Sequence, residues 1–333
     1  CESQRGRPDM HLMDILKLRH MPAAGISIGL TRRCPLHCAH CSTNSTMESE
    51  EYPASLFECF VGTFTKDNRP EVLSLSGGEA LLRPRLVRAL AERARDVGTR
   101  TSVLSGLFFA RDGRIAPAIR AVFDAVDHFS VSVDIYHERE VPRAHVFTVL
   151  EAVLDRGTDV SMHLVGTDAE DPYLKGLIED VRARFCDRVP MVVNAISYFG
   201  RARNWLAKPD NASAGQHEAN PCTMAAWPVV GFDGRIVACG NDTVFERLPS
   251  HLLLGHARDD DWATIRRRTE ESHLLRAIRL FGPEYIASRS NTSRVACDGY
   301  CETCMTLSRA STIGERFEEM MVRPSTRALE SAV

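Results

Sequence analysis

Three cysteines stand in the spacing C-x3-C-x2-C within "TRRCPLHCAHCSTNS", at positions 34, 38 and 41. Thiols grouped this tightly in a long chain without an evident secretory n-region and h-region point to metal binding rather than to a disulfide framework. A closed zinc site needs four protein ligands, and only His37 and His40, within the loop itself, stand near Cys34, Cys38 and Cys41. Three thiolates instead suit a cubane iron-sulfur cluster that keeps one iron open for an exogenous ligand. A second motif follows one predicted strand later, where "LSLSGGEALL" carries Gly77, Gly78 and Glu79. Glycines at the end of a strand let a ligand approach bare backbone, and Glu79 offers a carboxylate to an ammonium group.

The other cysteines are unevenly placed. Cys222 and Cys239 bracket "CTMAAWPVVGFDGRIVAC", and "CDGYCETC" adds Cys297, Cys301 and Cys304. Two thiols around a hairpin, joined in space by a distant C-x2-C, would complete a four-thiolate site for an iron-sulfur cluster or for zinc. Cys59 and Cys186 lie in amphipathic helical patterns and read as small buried hydrophobes.

The elements that position these residues follow from periodicity. Strands are predicted over 25–30 ("GISIGL"), 71–76, 101–106, 128–134 ("HFSVSVD"), 159–166 and 190–197. Helical spacing fills the gaps, as in the run from Leu56 to Phe64 and in the helix opened by Pro84 and stopped at Gly98. Strands alternating with helices imply βαβ crossovers and a parallel sheet, doubly wound or curled into an open barrel, with the chemistry on the loops after the strand C-termini. The pattern changes after "RNWLAKPDNASAGQHEANP" (203–221), a linker by its composition. Residues 227–239 read as a β-hairpin in which Asp233-Gly234 supplies the positive φ angles of a tight turn, and one helix is predicted near 261–281.

Composition narrows the function. A chain of 333 residues exceeds the usual single domain, which fits one large α/β domain plus a smaller one. A formal charge of −3 argues against a general nucleic-acid binder. No apolar run reaches the roughly 18 residues a membrane span needs. The cytosol is the expected compartment.

The pairing of C-x3-C-x2-C with Gly77-Gly78-Glu79 one βα unit later resembles the radical S-adenosylmethionine (radical SAM) superfamily, over roughly residues 23–205. The resemblance implies a partial (β/α)6 barrel of the TIM type. In it Cys34, Cys38 and Cys41 ligate three irons of a 4Fe-4S cluster, and the amine and carboxylate of S-adenosylmethionine chelate the fourth. Electron transfer from the reduced cluster then splits the sulfonium, and the resulting 5′-deoxyadenosyl radical abstracts a hydrogen atom from substrate. Gly77, Gly78 and Glu79 match the motif for the methionine amine. Ser132 and Asp134 of "VSVD" match polar strand-end positions that often hold the ribose, and His40 takes a usually aromatic position near the adenine. The C-terminal cysteines resemble the twitch form of the SPASM/twitch extension, with one auxiliary 4Fe-4S cluster. Full SPASM domains hold two clusters on more cysteines than the five found here. The resemblance favours Cys222, Cys239, Cys301 and Cys304 as its ligands. Cys297 is left as an alternative ligand, a structural residue or a thiol that returns a hydrogen atom to a substrate radical. The implied organisation is an N-terminal extension at 1–22, a radical SAM core at 23–205, and a linker with the auxiliary-cluster domain at 206–333. A flavodoxin or ferredoxin is the implied electron donor.

Two reactions fit. In the first, a carbinol carbon of a sugar or aminocyclitol is dehydrogenated, its electron passing to the auxiliary cluster, or is epimerised. A base would help the oxidation, and Tyr136, His137, Arg201 and Arg203 lie near predicted strand ends as candidate acid, base or substrate contacts. In the second, a ribosomal peptide is crosslinked, oxidised or epimerised. Relatives of that kind often carry an N-terminal leader-binding domain, and the short stretch before residue 23 together with the single-cluster cysteine set favours the small molecule. Outside enzymes, a cluster- or zinc-bearing scaffold or redox sensor shares the cysteines but would not cleave S-adenosylmethionine.

Overall fold

The computed structural model describes residues 10–112, 114–207, 219–289 and 299–307. Six strands joined by helical crossovers form the first part of the fold. The strands are β1 (Gly25–Gly29), β2 (Val72–Ser76), β3 (Arg100–Ser105), β4 (His128–Val133), β5 (Asp159–Gly166) and β6 (Met191–Ala195). Between them lie α2 (Ala54–Val61), α3 (Pro84–Asp96), α4 (Pro117–Ala125), α5 (Ile135–Glu138), α6 (Arg143–Leu154) and α7 (Pro172–Phe185). A short helix, α1 (Leu12–Leu18), precedes them. The six strands are parallel and adjacent in sequence order. The sheet stays open, with β6 at one edge, so the fold is a partial (β/α)6 barrel.

Alternation along each strand separates two environments. Phe129, Val131 and Val133 of β4 and Val160, Met162 and Leu164 of β5 join the hydrophobic core, together with the stripe Leu86, Val87, Leu90, Ala91 and Ala94 of α3. The opposite face carries serines. Ser27, Ser74, Ser102 and His128 pair in register across β1 to β4, and Ser130 pairs with Ser161 of β5. Small hydroxyl side chains at these positions leave the lumen polar and uncrowded, where a closed barrel would be filled by bulky branched residues.

The end of the lumen below the strand N-termini is plugged. Trp227 packs with Met10, Val72 and Ala226, and its Nε1 donates to Leu18 O (3.0 Å). Gly25 makes room for it, since a Cβ there would lie 2.5 Å from the indole. Helix α1, which the sequence pattern did not reveal, is therefore part of the barrel floor. His128 closes the same end, its Nδ1 bonded to Met10 O (2.7 Å) and its Nε2 to Ser161 Oγ (2.8 Å). Burial holds this imidazole neutral, with its pKa lowered from 6.5 to about 4. Between those values the unfolded chain takes up a proton that the folded chain refuses, so this contribution is present above pH 6.5 and lost as pH falls through 4. The expected loss is about 3 kcal/mol. Urea unfolding at pH 7 and pH 4.5, compared with His128→Asn, checks it: the variant should lack this component of the acid sensitivity.

The C-terminal part extends the same sheet. Strand β7 (Val229–Val230) runs parallel to β1. β8 (Arg235–Val237) and β9 (Leu253–His256) follow antiparallel, with α8 (Asp242–Arg247) between them. The expected hairpin is present with a four-residue loop, 231–234, in which Gly234 alone takes a positive φ, +88°. Asp233 instead accepts from Arg235 N (3.1 Å). The single helix expected over 261–281 is two, α9 (Trp262–Glu271) and α10 (His273–Phe281). Ser272 breaks it by taking an extended backbone (ψ 110°), with its hydroxyl capping Leu275 N. α11 (Pro283–Arg289) and α12 (Tyr300–Thr306) complete the described residues, among which no helix is long and apolar enough to cross a membrane. Cys59 and Cys186 are exposed, contrary to their expected burial. The buried stripe of α2 is Phe57, Phe60 and Val61, which leaves Cys59 outside, and Cys186 caps α7 at φ +53°.

Candidate active site

The loop after β1 is folded on its own backbone. Cys34 N donates to Thr46 O (3.2 Å) and Cys41 N to Cys38 O (3.2 Å), while Arg32 Nε reaches Thr43 O (3.2 Å) and Arg33 Nε reaches Ser49 O (3.1 Å). The turn after β2 docks against it through Gly78 N to Thr31 O (2.7 Å) and Glu79 N to Arg33 O (2.9 Å). This contact demands glycine. A Cβ at Gly77 (φ +153°) would sit 2.5 Å from Thr31 O, and one at Gly78 would sit 2.5 Å from the carbonyls of Arg32 and Arg33. The two glycines thus bring one loop against another as well as exposing backbone.

Cys34 and Cys38 are buried and Cys41 half-buried, all as free thiols on one wall of a cavity of about 340 Å³. Burial pushes the Cys34 thiol up to about 12. Burial also acts on Cys41, but hydrogen bonds from Thr43 and Ser45 and the charge of Arg201 outweigh it and set its pKa below the ordinary value. Cys41 is therefore the readier metal-binding thiolate. Two buried nitrogens on the cavity's lining residues, Arg201 Nε and His40 Nδ1, have no hydrogen-bond partner among the described residues. A buried donor left so is costly unless a ligand satisfies it.

Asp134, at the end of β4, organises the neighbouring wall. It is fully buried and caps α5, accepting from Tyr136 N (2.8 Å) and His137 N (3.0 Å). Its Oδ2 meets His137 Nδ1 at 2.6 Å and His40 Nε2 at 3.2 Å. Burial works against both charges, but the pairing wins: Asp134 is held well below the usual carboxylate range, and His137, bonded to Asp134 and to Cys38, rises to about 10. His40, Tyr136 and Trp205 continue the wall as ring contacts at 4.9 and 5.6 Å, and Trp205 Nε1 ties it to Ala39 O (2.8 Å).

The sequence profile of the Radical SAM superfamily matches residues 28–181, the span that holds this loop, the glycine turn and strands β2 to β5. The chain carries a radical SAM domain. No curated protein matches it. Solved structures of similar fold include Streptococcus suis SuiB bound to S-adenosylmethionine, at 13% identity over 87% of this chain and 74% of that one, with a TM-score of 0.51. A hexahistidine-tagged anSMEcpe with bound AdoMet matches at 12% identity over 89% and 95%, TM-score 0.51. BtrN in complex with AdoMet and 2-DOIA matches at 14% identity over 80% and 89%, TM-score 0.48. A 4Fe-4S cluster and S-adenosylmethionine are the cofactors of this superfamily.

Most of the expected cofactor residues of the radical SAM domain come together. Cys34, Cys38, Cys41, His40, Gly77, Gly78 and Ser132 line the one cavity, as do His137 and Arg201. Glu79 and Asp134 do not. The Glu79 carboxylate, 1% exposed, accepts from Leu81 N (2.9 Å), Ser105 Oγ (2.9 Å) and Gly106 N (2.9 Å), so it ties the β2 turn to the end of β3. Its burial raises its pKa despite those bonds. Asp134 stands behind the histidines, its oxygens already engaged. Tyr136 lies outside the cavity lining, and Arg203 lines a separate cavity, bonding Thr243 Oγ1 (2.5 Å). His163, Asn194 and Ser197 line the same cavity as the cysteines and were not anticipated. His163 pairs in register with Ser132, so strand alternation alone carried the signal for it.

Cys222, Cys239, Cys301 and Cys304 meet at the other end of the β7–β8 hairpin. Burial pushes Cys239 up to about 11, with Cys222 and Cys301 adding to it. Cys304 is raised by burial and then by Cys239, Cys222 and Cys301. The charges of Cys222 and Cys301 act on Cys239, and those of Cys239, Cys222 and Cys301 on Cys304, so the four thiols are neighbours in space. Cys301 and Cys304, three apart on α12, share a helix face. Arg19, at the end of α1, stacks 4.9 Å over Trp227 and faces Cys239 and Cys222, a cation that sequence reading missed. Cys297 lies outside the described residues.

Proposed function

We propose that the chain is a radical SAM oxidoreductase or epimerase acting on a carbinol carbon of a sugar or aminocyclitol type of small molecule. The observation that carries the reading is the set of three free thiols of one loop, Cys34, Cys38 and Cys41, lining a cavity whose Arg201 Nε and His40 Nδ1 lack partners. These residues fit the cofactor pair: thiolates for three irons, and an unused guanidinium N–H for a carboxylate. When bound, a reduced cluster with S-adenosylmethionine supplies a 5′-deoxyadenosyl radical that takes a hydrogen atom from substrate. The protein's own part is positioning. Asp134 orients His137 against Cys38, the glycine turn holds the cysteine loop, and Ser132 and His163 present polar groups from the lumen to the cofactor.

Cys222, Cys239, Cys301 and Cys304 are proposed to bind an auxiliary 4Fe-4S cluster, in a C-terminal domain that begins after residue 205. A cubane there would accept the electron left on substrate after hydrogen abstraction. A flavodoxin or ferredoxin is the proposed donor to the first cluster.

Anaerobic reconstitution with iron and sulfide, followed by dithionite reduction, tests the reading. The expected result is about eight irons per chain, as two four-iron clusters require, and 5′-deoxyadenosine formed from S-adenosylmethionine even without substrate. A reconstituted protein that forms none would be a scaffold or sensor.

A further inference from the structure

A second cavity, of about 370 Å³, adjoins the first, and the two share Ser42, Thr43, Ser76 and Gly77 as a common wall. Its far side is the β7–β8 hairpin and α8, including Gly240, which follows Cys239. A molecule here would lie beside the residues that follow Cys41 on one side and those that follow Cys239 on the other. The volume sits at the lower end of the range for small-molecule sites. Part of the lining is apolar, with Phe232 against Gly29 and Phe245 against Gly231.

The charges are unequal in number. Arg32, Arg203 and Arg235 line the cavity, as do Glu50, Asp233, Asp242 and Glu246. Arg32 pairs with Glu50 (3.3 Å), Arg203 with Glu246 (3.5 Å) and Arg235 with Asp233. That leaves Asp242 with the Ser42 hydroxyl and, among the described residues, no arginine in an ion pair with it. Its burial and the nearby Glu246 raise it to about 6 against the charges of Arg32 and Arg203, which are themselves paired with Glu50 and Glu246, so it is ionised at neutral pH and only partly compensated. A carboxylate in that condition is stabilised by a cation that the ligand brings. The hydroxyls of Ser42, Thr43 and Tyr52 and the amide of Asn44 supply neutral hydrogen-bond partners beside it.

We propose that this cavity is the substrate site and that Asp242 selects an ammonium group on a hydroxylated small molecule, an amino sugar or aminocyclitol. The proposal rests on the radical SAM reading above and adds the substrate's charge. The test is saturation-transfer NMR on the reconstituted full chain with D-glucosamine and D-glucose in equal amounts, which differ in the amine, and with Nα-acetyl-lysine methylamide as a peptide-side-chain probe. Wild type should transfer saturation to glucosamine about fivefold more than to glucose. Asp242→Asn should abolish that preference and Asp242→Glu restore most of it, with circular dichroism and thermal unfolding confirming that both variants fold. Equal transfer to both sugars in wild type, or an unchanged preference in Asp242→Asn, overturns the proposal, and so does transfer confined to the lysine probe. The substrate-free 5′-deoxyadenosine assay on wild type separates the two readings. Amine selectivity without that activity sinks the radical SAM chemistry, and activity without selectivity sinks this cavity assignment alone.

Discussion

Replacing Cys34, Cys38 and Cys41 together by alanine is expected to abolish 5′-deoxyadenosine formation and to lower bound iron from about eight to about four per chain. In the proposed site each of the three thiols would be the sole anchor for one iron, and the loop offers no substitute of equal softness. His37 and His40 belong to the same loop, but His37 is largely exposed, and His40, whose Nε2 is directed at Asp134 (3.2 Å), could offer only its neutral Nδ1, a harder donor than a thiolate. Single variants should be nearly as damaging, because a cluster held at two corners is open to solvent and oxidant. The environment of the thiols adds a proton signature. Cys34 is protonated well above neutral pH, so cluster assembly must displace its proton, and iron uptake should slow as pH falls. Iron and sulfide quantification with electron paramagnetic resonance measures the count. Retained 5′-deoxyadenosine formation in the triple variant would remove these residues from the site.

The legible part of this protein was that written in local order. Strand alternation in "HFSVSVD" and "DVSMHLVG", the proline at position 84 and the glycine at position 98 each act on their own neighbours, and the six parallel strands appear where those patterns place them. The grouping of Cys34, Cys38 and Cys41 on one cavity was legible for the same reason, since it lies in spacing over eight residues. What escaped depends on contacts between distant segments. Nothing near Gly25 says that Trp227 will lie against it, and so the role of α1 in the barrel floor was invisible. Glu79 and Asp134 illustrate a subtler limit. Their positions at strand ends were right, yet which way a carboxylate turns is decided by available donors. Leu81 N, Ser105 and Gly106 N capture one, while Tyr136 N and the two histidines capture the other. Likewise Arg201 and Arg203, two residues apart, point into different cavities, a separation produced by the 3-10 turn Gly200–Asn204.

The second large effect is expected at the other cysteine group, where Cys301→Ala or Cys304→Ala should remove about four irons and leave the first cluster in place. The two thiols project from one face of a single helix of seven residues, and among the described residues that helix is tied by Tyr300 Oη to Asn220 O (2.5 Å) and Arg247 to Glu302 (2.5 Å). A shared cluster would be the strongest tie between α12 and the hairpin that carries Cys239, so its loss should also free α12, visible as faster amide exchange over 300–306. Cys297→Ala discriminates the ligand set. It should keep about eight irons if Cys222, Cys239, Cys301 and Cys304 are the four ligands, and fall to about four if Cys297 is one of them. Zinc in place of the missing iron would make the site structural. The electron left on substrate would then lack the auxiliary acceptor, and epimerisation would be favoured, provided that a thiol returns the hydrogen atom and the external electron donor, with a proton, re-reduces the resulting thiyl radical.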